Sequence, residues 1–241
     1  MRCSSLPYET EPGETEGLYR KWIGLIEAGI ETRGDLKPLM LRARDEFLAV
    51  PVKRSSKPLV GVVGEIYVRH NRFSNQDVVR RIEQAGAEAW MAPISEWIIY
   101  TAYMEAWFAG QKRGGFVKKL QHSLKNQFLE RDEAYWTKLV SPILDQRIEP
   151  PVQSTIEEGA VYFPKDFEGE TIITIGRAVE FIKQGAKMVV NAAPCGCMPG
   201  TRSAGVFQEI EAKYGVPVAN MFYDGEGDIN VRIETYLNNL K

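Results

Sequence analysis

Histidine and cysteine are the scarce residues of this 241-residue chain: it has two of the first, three of the second. That scarcity excludes a His-rich metal site, and His70 and His122 do not stand at recognisable ligand spacing. Cys3, Cys195 and Cys197 make an odd set, and two of them are one residue apart, a poor disulfide framework. A reduced, cytoplasmic setting is the expectation. No apolar run approaches the roughly 20 residues that a membrane span needs. Nor is there an apolar leader after Met1, because Pro7, Glu9 and Glu11 come instead. The formal net charge is only −2, so nothing in bulk points to nucleic acid or to an anionic bilayer. Two phosphate-binding signatures are also missing. Gly61 and Gly64 form a G-x-x-G rather than the dinucleotide fingerprint, and no Walker A sequence occurs.

What is present is an α/β pattern. Leu18, Trp22, Leu25, Ile26 and Ile30, then Leu36, Leu39, Met40 and Phe47, recur at helical spacing around Gly34-Asp35, which predicts an N-terminal helical hairpin within residues 1–57. A polar, proline-bounded connector follows, Pro51 to Pro58. Leu59-Val60-Gly61-Val62-Val63-Gly64 then reads as a strand buried on both faces. Glu88–Pro93, Lys187–Ala193 and Val216–Tyr223 are the other candidate strands. The helices between them are expected at about Ser74–Gly86, Thr171–Gln184 and Thr201–Tyr214, with a last one from Asp228 to Leu240. Ser74, Thr201 and Asp228 are the expected caps.

This predicts a Rossmann-like, doubly wound parallel sheet of about four strands over residues 58–241, with a helix-rich, aromatic insertion at about 95–150. The stretch from Glu149 to Glu170 carries no structural expectation. Right-handed crossovers favour the spatial order second, first, third, fourth. Ligands bind such sheets outside the carboxyl ends of the strands, where the winding reverses. The loops there are Gly64-Glu65-Ile66-Tyr67 and Ala193-Pro194-Cys195-Gly196-Cys197-Met198-Pro199-Gly200.

Cys195-Gly196-Cys197 is the strongest chemical signal. Thiolates near a helix N-terminus are favoured by its dipole and are what iron and zinc bind; alternatively, the cysteines are small buried hydrophobes. Two thiolates complete neither a tetrahedral zinc site nor an iron–sulfur cluster, so further ligands would come from Cys3, a partner or another part of the protein. Glu65 either orients a ligand or accepts backbone N–H bonds within its turn. Asp224-Gly225-Glu226-Gly227-Asp228 reads as a turn capping the last helix rather than a calcium loop, because it lacks the full ligand series. The aromatics from Trp97 to Phe108 read as a helix-pair core or an oligomer contact. Lys112, Arg113, Lys118, Lys119 and Lys125 read as a solvated face, with an anionic CoA-type ligand or an acidic partner as the alternative.

Three segments carry a resemblance. LVGVVGEIYVRHN from Leu59, NAAPCGCMPGT from Asn191 and FYDGEGDINVRIETYL from Phe222 resemble the acyl-CoA dehydratase activase-related family, which is similar to the D-component of 2-hydroxyglutaryl-CoA dehydratase. Leu6-Pro7-Tyr8-Glu9 with Gly13 resembles a segment that joins an upstream half to this one in longer members. The resemblance implies an iron–sulfur cluster, of the four-iron four-sulfur kind, held between lobes for low-potential electron transfer. Cys197, in Cys-Met-Pro-Gly, matches the family's cysteine and is the expected ligand. Cys195 is a candidate second ligand, standing where the family pattern often has an apolar residue, and Glu65 is the expected organiser of the loop. The implied partners are a second cysteine-bearing lobe or subunit, an ATP-dependent activator and an acyl-CoA, with a homo-oligomer as a further possibility. Two alternatives stand beside this: a noncatalytic α/β interaction or scaffold module without a metal, and a small-molecule binder using the same crevice.

Overall fold

The structure is a computed structural model that describes residues 6–111, 116–144, 147, 149–167 and 169–239. Cys3, Lys112 and Arg113 lie outside the described residues, as do the side chains of Lys118 and Lys119.

The chain divides into two units. The smaller comprises residues 1–56 and 131–149, so the tail of the expected insertion groups with the N-terminal helices. Its helices are α1, Glu14–Glu31, and α2, Leu36–Ala49. Asp35 caps α2 by accepting the N–H of Lys37 at 2.9 Å. Trp22 packs with Ala43 and Phe47, and its indole donates to Glu46 at 2.9 Å. Lys21 and Trp22 together hold the Glu46 carboxyl below its ordinary pKa.

The larger unit, residues 57–130 and 150–241, holds the sheet. Its strands are β1, Leu59–Gly64; β2, Glu88–Met91; β3, Met188–Pro194; and β4, Val218–Tyr223. They are all parallel, in the order β2-β1-β3-β4, the arrangement expected from the crossover rule. Its helices are α3, Ile66–His70; α4, Val78–Gln84; α5, Ile94–Gln111; α6, Phe116–Val140, whose last residues fall in the smaller unit; α7, Val152–Ala160; α8, Thr171–Lys183; α9, Met198–Tyr214; and α10, Val231–Asn238.

The sheet is covered on both faces. Val60, Val62, Met188 and Val190 pack against Val78 and Ile82 of α4 and Ile233 and Leu237 of α10. Val63, Val189 and Val218 pack against Ile175 and Val179 of α8 and Phe207 and Ile210 of α9. This two-sided burial explains why β1 and β3 read as apolar runs without alternation. Gly61 has a packing reason, since a Cβ there would lie 2.5 Å from the Phe181 ring. Helices α7 and α8 approach through glycines. A Cβ on Gly176 would fall 1.8 Å from the Thr155 carbonyl oxygen, and one on Gly159 would fall 2.1 Å from that of Ile172.

Several local expectations are corrected. Ser74 caps nothing: α4 starts at Val78, whose N–H is taken by the Asn75 side chain at 3.2 Å. Asn75 is buried and fixed by the carbonyls of Val68 and Arg69, and its own carbonyl accepts from the Asn230 side chain at 2.8 Å, so a tertiary contact helps choose the helix start. Thr201 is not the cap of α9 either, because the helix begins at Met198 with Pro199 in its first turn, and Thr201 donates back to the Cys197 carbonyl at 2.8 Å. Asp228 sits two residues short of the α10 cap and accepts the N–H of Asn230, the N-cap residue. The stretch left without expectation contains α7. The end of the expected insertion, Tyr135 to Leu144, is the end of α6 followed by a short 3-10 turn, Ser141–Ile143. Among the described residues, no helix is long and apolar enough to cross a membrane.

Candidate functional site at the carboxyl edge of the sheet

The winding reverses between β1 and β3, so the crevice there is the place to look for chemistry. Gly64 ends β1 at φ +119°, and a Cβ would lie 2.1 Å from the Ala192 carbonyl oxygen, so only glycine brings the two strand ends this close. The next residue, Glu65, donates its N–H to that same carbonyl at 2.9 Å. Its carboxylate then accepts the N–H groups of Tyr67 at 3.1 Å and Val68 at 2.8 Å, making Glu65 the N-cap of α3. Of the two roles open to Glu65, the backbone bonds within the turn are the ones formed.

Cys195 and Cys197 lie in the loop that follows β3, at the same edge of the sheet. The N–H of Cys195 donates to Tyr223 O at 2.9 Å, tying the loop to the end of β4, and that of Cys197 donates to Pro194 O at 3.1 Å. Gly196 between them adopts φ +74°. Cys195 is exposed and Cys197 is half-buried. Cys197 is the N-cap residue of α9, and its side chain makes no capping hydrogen bond. Neither cysteine is a buried hydrophobe. Gly200, in the first turn of α9, packs against Ala193, where a Cβ would come within 2.5 Å.

The third part of the edge was not legible in the sequence. Glu170, at the start of α8, accepts the N–H of Ile66 at 3.3 Å and a bond from the Trp97 indole. Its neighbour Gly169 lies against the first turn of α9, since a Cβ there would meet Pro199 at 3.8 Å and Met198 at 3.9 Å. Burial, with the charge of Glu65 adding to it, pushes the Glu170 carboxyl above its ordinary pKa.

Behind this edge runs a buried chain of charges. Arg69 is 1% exposed and donates to Gly64 O and to Pro93 O, both at 3.2 Å, so one guanidinium pins the end of β1 and the chain just beyond β2. Arg69 also faces Glu96 at 3.5 Å, Glu96 makes a close ion pair with Arg177, and Arg177 faces Glu180 at 3.0 Å. Thr155 donates to Glu180 at 2.9 Å and closes the chain onto α7. Burial raises the pKa of Glu180. His70 donates to Ala92 O, and burial, helped by the Arg69 charge, pushes its imidazole down to about 4, so it is neutral at pH 7. The available signal was charge in apolar helices. Glu96 interrupts Ile94-Ser95-Glu96-Trp97-Ile98-Ile99, and Arg177 and Glu180 interrupt a helix buried from Thr171 to Ile182; such residues are buried only when paired.

Two clefts open beside the edge. One, of about 620 Å³, is walled by Trp97, Tyr100, Met104 and Phe108 with Glu105 and Glu170. The other, of about 370 Å³, is walled by Ile66, Tyr67, His70, Ile94, Trp97 and Ile98.

The acidic loop after β4 serves the fold. Asp224 accepts the N–H of Glu226 at 2.8 Å, Asp228 pairs with Arg81, and Gln76 grips Gly227 O at 2.6 Å. Among the described residues, no group of three or more His, Cys, Asp or Glu side chains is gathered to hold a metal ion.

Compared with family models, with curated proteins and with solved structures, the chain gives no match. The fold and the edge define a class without that help: a doubly wound α/β protein whose switch point carries a thiol-bearing loop at a helix N-terminus.

Proposed function

We propose that this chain is the Rossmann-like half of an iron–sulfur protein of the 2-hydroxyacyl-CoA dehydratase or activase-related type, acting in low-potential electron transfer. Cys197 is the ligand, Cys195 the candidate second ligand, and a second cysteine-bearing lobe or subunit supplies the rest. The observation that carries this reading is Cys197 itself. Its side chain heads the 17-residue helix α9 at the switch point, half-exposed and unused as a cap, next to an exposed second thiol. Thiolate is the donor that iron–sulfur clusters take, and a helix N-terminus favours it.

When bound, the cluster supplies one-electron chemistry at low potential. The residues of this chain do the holding. Gly64 lets the ends of β1 and β3 meet, Glu65 fixes the turn beside them, and the Arg69 guanidinium anchors Gly64 O and Pro93 O from within. A four-iron cluster needs more sulfur than two thiols provide, which is why the partner lobe is part of the proposal. An ATP-dependent activator and an acyl-CoA substrate follow from the resemblance of the Cys-Met-Pro-Gly segment.

The test is anaerobic reconstitution with iron and sulfide, read by visible absorption and EPR, in the chain joined or mixed with its partner lobe. A cluster signal that changes in Cys197→Ser supports the reading. No signal, or an identical one in Cys197→Ser, ends it.

A second reading, a noncatalytic docking module, is favoured by the apolar cleft on α3 and α5, where Tyr67, Ile94 and Ile98 are 64%, 56% and 46% exposed. A colourless, metal-free protein with a defined oligomer by light scattering is its signature.

A further inference from the structure

We propose that the cleft between Trp97 and Glu170 is a binding site for a small organic cation, of the alkylammonium class. This does not rest on the iron–sulfur reading. The cleft, about 620 Å³, falls in the size range of small-molecule sites. Three of its walls are aromatic, Trp97, Tyr100 and Phe108, and its described polar lining includes two carboxylates, Glu105 and Glu170, with no lysine or arginine among those residues. Aromatic faces carry partial negative charge and attract ammonium groups, most strongly where water is excluded.

The same helix already binds an ammonium in this way. On another side of α5, Lys165 Nζ lies 4.8 Å from the Tyr103 ring centroid and 5.6 Å from that of Trp107, and donates to the Tyr103 hydroxyl at 2.8 Å. Here the fold supplies its own cation. In the Trp97 cleft, Glu105 has Lys125 at 3.2 Å and His122 at 3.3 Å, both on the α6 side. Glu170 is different: its bonds come from the Ile66 N–H and the Trp97 indole, both neutral donors.

The charges behind Glu170 do not balance it. Arg69 and Arg177 stand among Glu65, Glu96, Glu170 and Glu180, so in this cluster acidic groups are in excess of basic ones. Burial and the charge of Glu65 resist ionisation of Glu170, and a cation seated over Trp97 would oppose them by attracting the ionised form. An anionic headgroup would meet the same excess as repulsion. Tyr100 is held for the purpose, its hydroxyl donating to Gly169 O at 2.6 Å, which fixes the ring beside the carboxylate.

The experiment is isothermal titration calorimetry of the full chain with choline, against 3,3-dimethyl-1-butanol, its neutral isostere, and butyrate. The expected result is saturable binding of choline, about tenfold or more tighter than the neutral compound, with none for butyrate. Glu170→Gln, which keeps an acceptor for Ile66, is expected to weaken choline by about tenfold. Phe108→Leu, on the cleft wall, decides the matter if the first variant does not fold, and is expected to weaken choline while sparing the neutral compound. Equal binding of choline and its isostere, no saturable heat with choline, or choline binding unchanged in the folded variants would overturn the assignment.

Discussion

The Glu170 carboxylate accepts the backbone N–H of Ile66 at 3.3 Å, joining the start of α8 to the turn after β1 across 104 positions of sequence. The bond puts a half-buried acid at the mouth of the sheet, beside a second acid, Glu65, that already caps a helix.

Glu170 therefore makes stability depend on pH. Its folded pKa lies above the ordinary 4.5, so above that pH the folded state holds the proton more tightly than the unfolded chain does. The stability Glu170 lends is full below the unfolded value and is lost as pH rises through the folded one. Urea unfolding at several pH values is expected to show this loss in the native sequence and a flatter profile in Glu170→Gln.

His70 acts in the opposite direction. Its folded pKa, about 4, is below the ordinary 6.5, so between these values the unfolded chain binds the proton and the folded one does not. Stability is expected to fall as pH drops through this window. The imidazole resonances of His70, followed by NMR, should stay in the neutral form down to about pH 4; titration near 6.5 would show that the ring is not held against Arg69 and Ala92.

Arg177 tests the buried charge chain. Arg177→Met leaves Glu96 and Glu180 without their closest positive partner inside the protein, at a cost of about 3–5 kcal/mol in urea unfolding. Adding Glu96→Gln should recover part of that loss, because the uncompensated charge is removed. Losses that simply add would mean the two residues are not coupled.

Exposure ranks the two thiols. In the metal-free protein, iodoacetamide is expected to modify exposed Cys195 several-fold faster than half-buried Cys197, as read by peptide mass spectrometry. Faster labelling of Cys197 would mean that its sulfur is the more open of the two.

Much of this protein was written locally. Apolar runs such as Leu59–Gly64 and Met188–Pro194 announce strands buried on both faces, and helical spacing from Leu18 to Phe47 announces the hairpin, because period and length are properties of short segments. With the strands placed, right-handed crossovers favoured the order that the sheet has and pointed to the loops of Glu65 and Cys197. Tertiary structure decided the rest. Helix starts moved where a side chain held by the fold took the first N–H, as Asn75, itself gripped by Asn230, does for Val78. The joining of Glu170 to Ile66, of Arg69 to Pro93, and of Glu96 to Arg177 rests on proximity between segments far apart in the chain. A charged residue announces by its type that it needs a partner, but only the folded backbone determines which one is within reach.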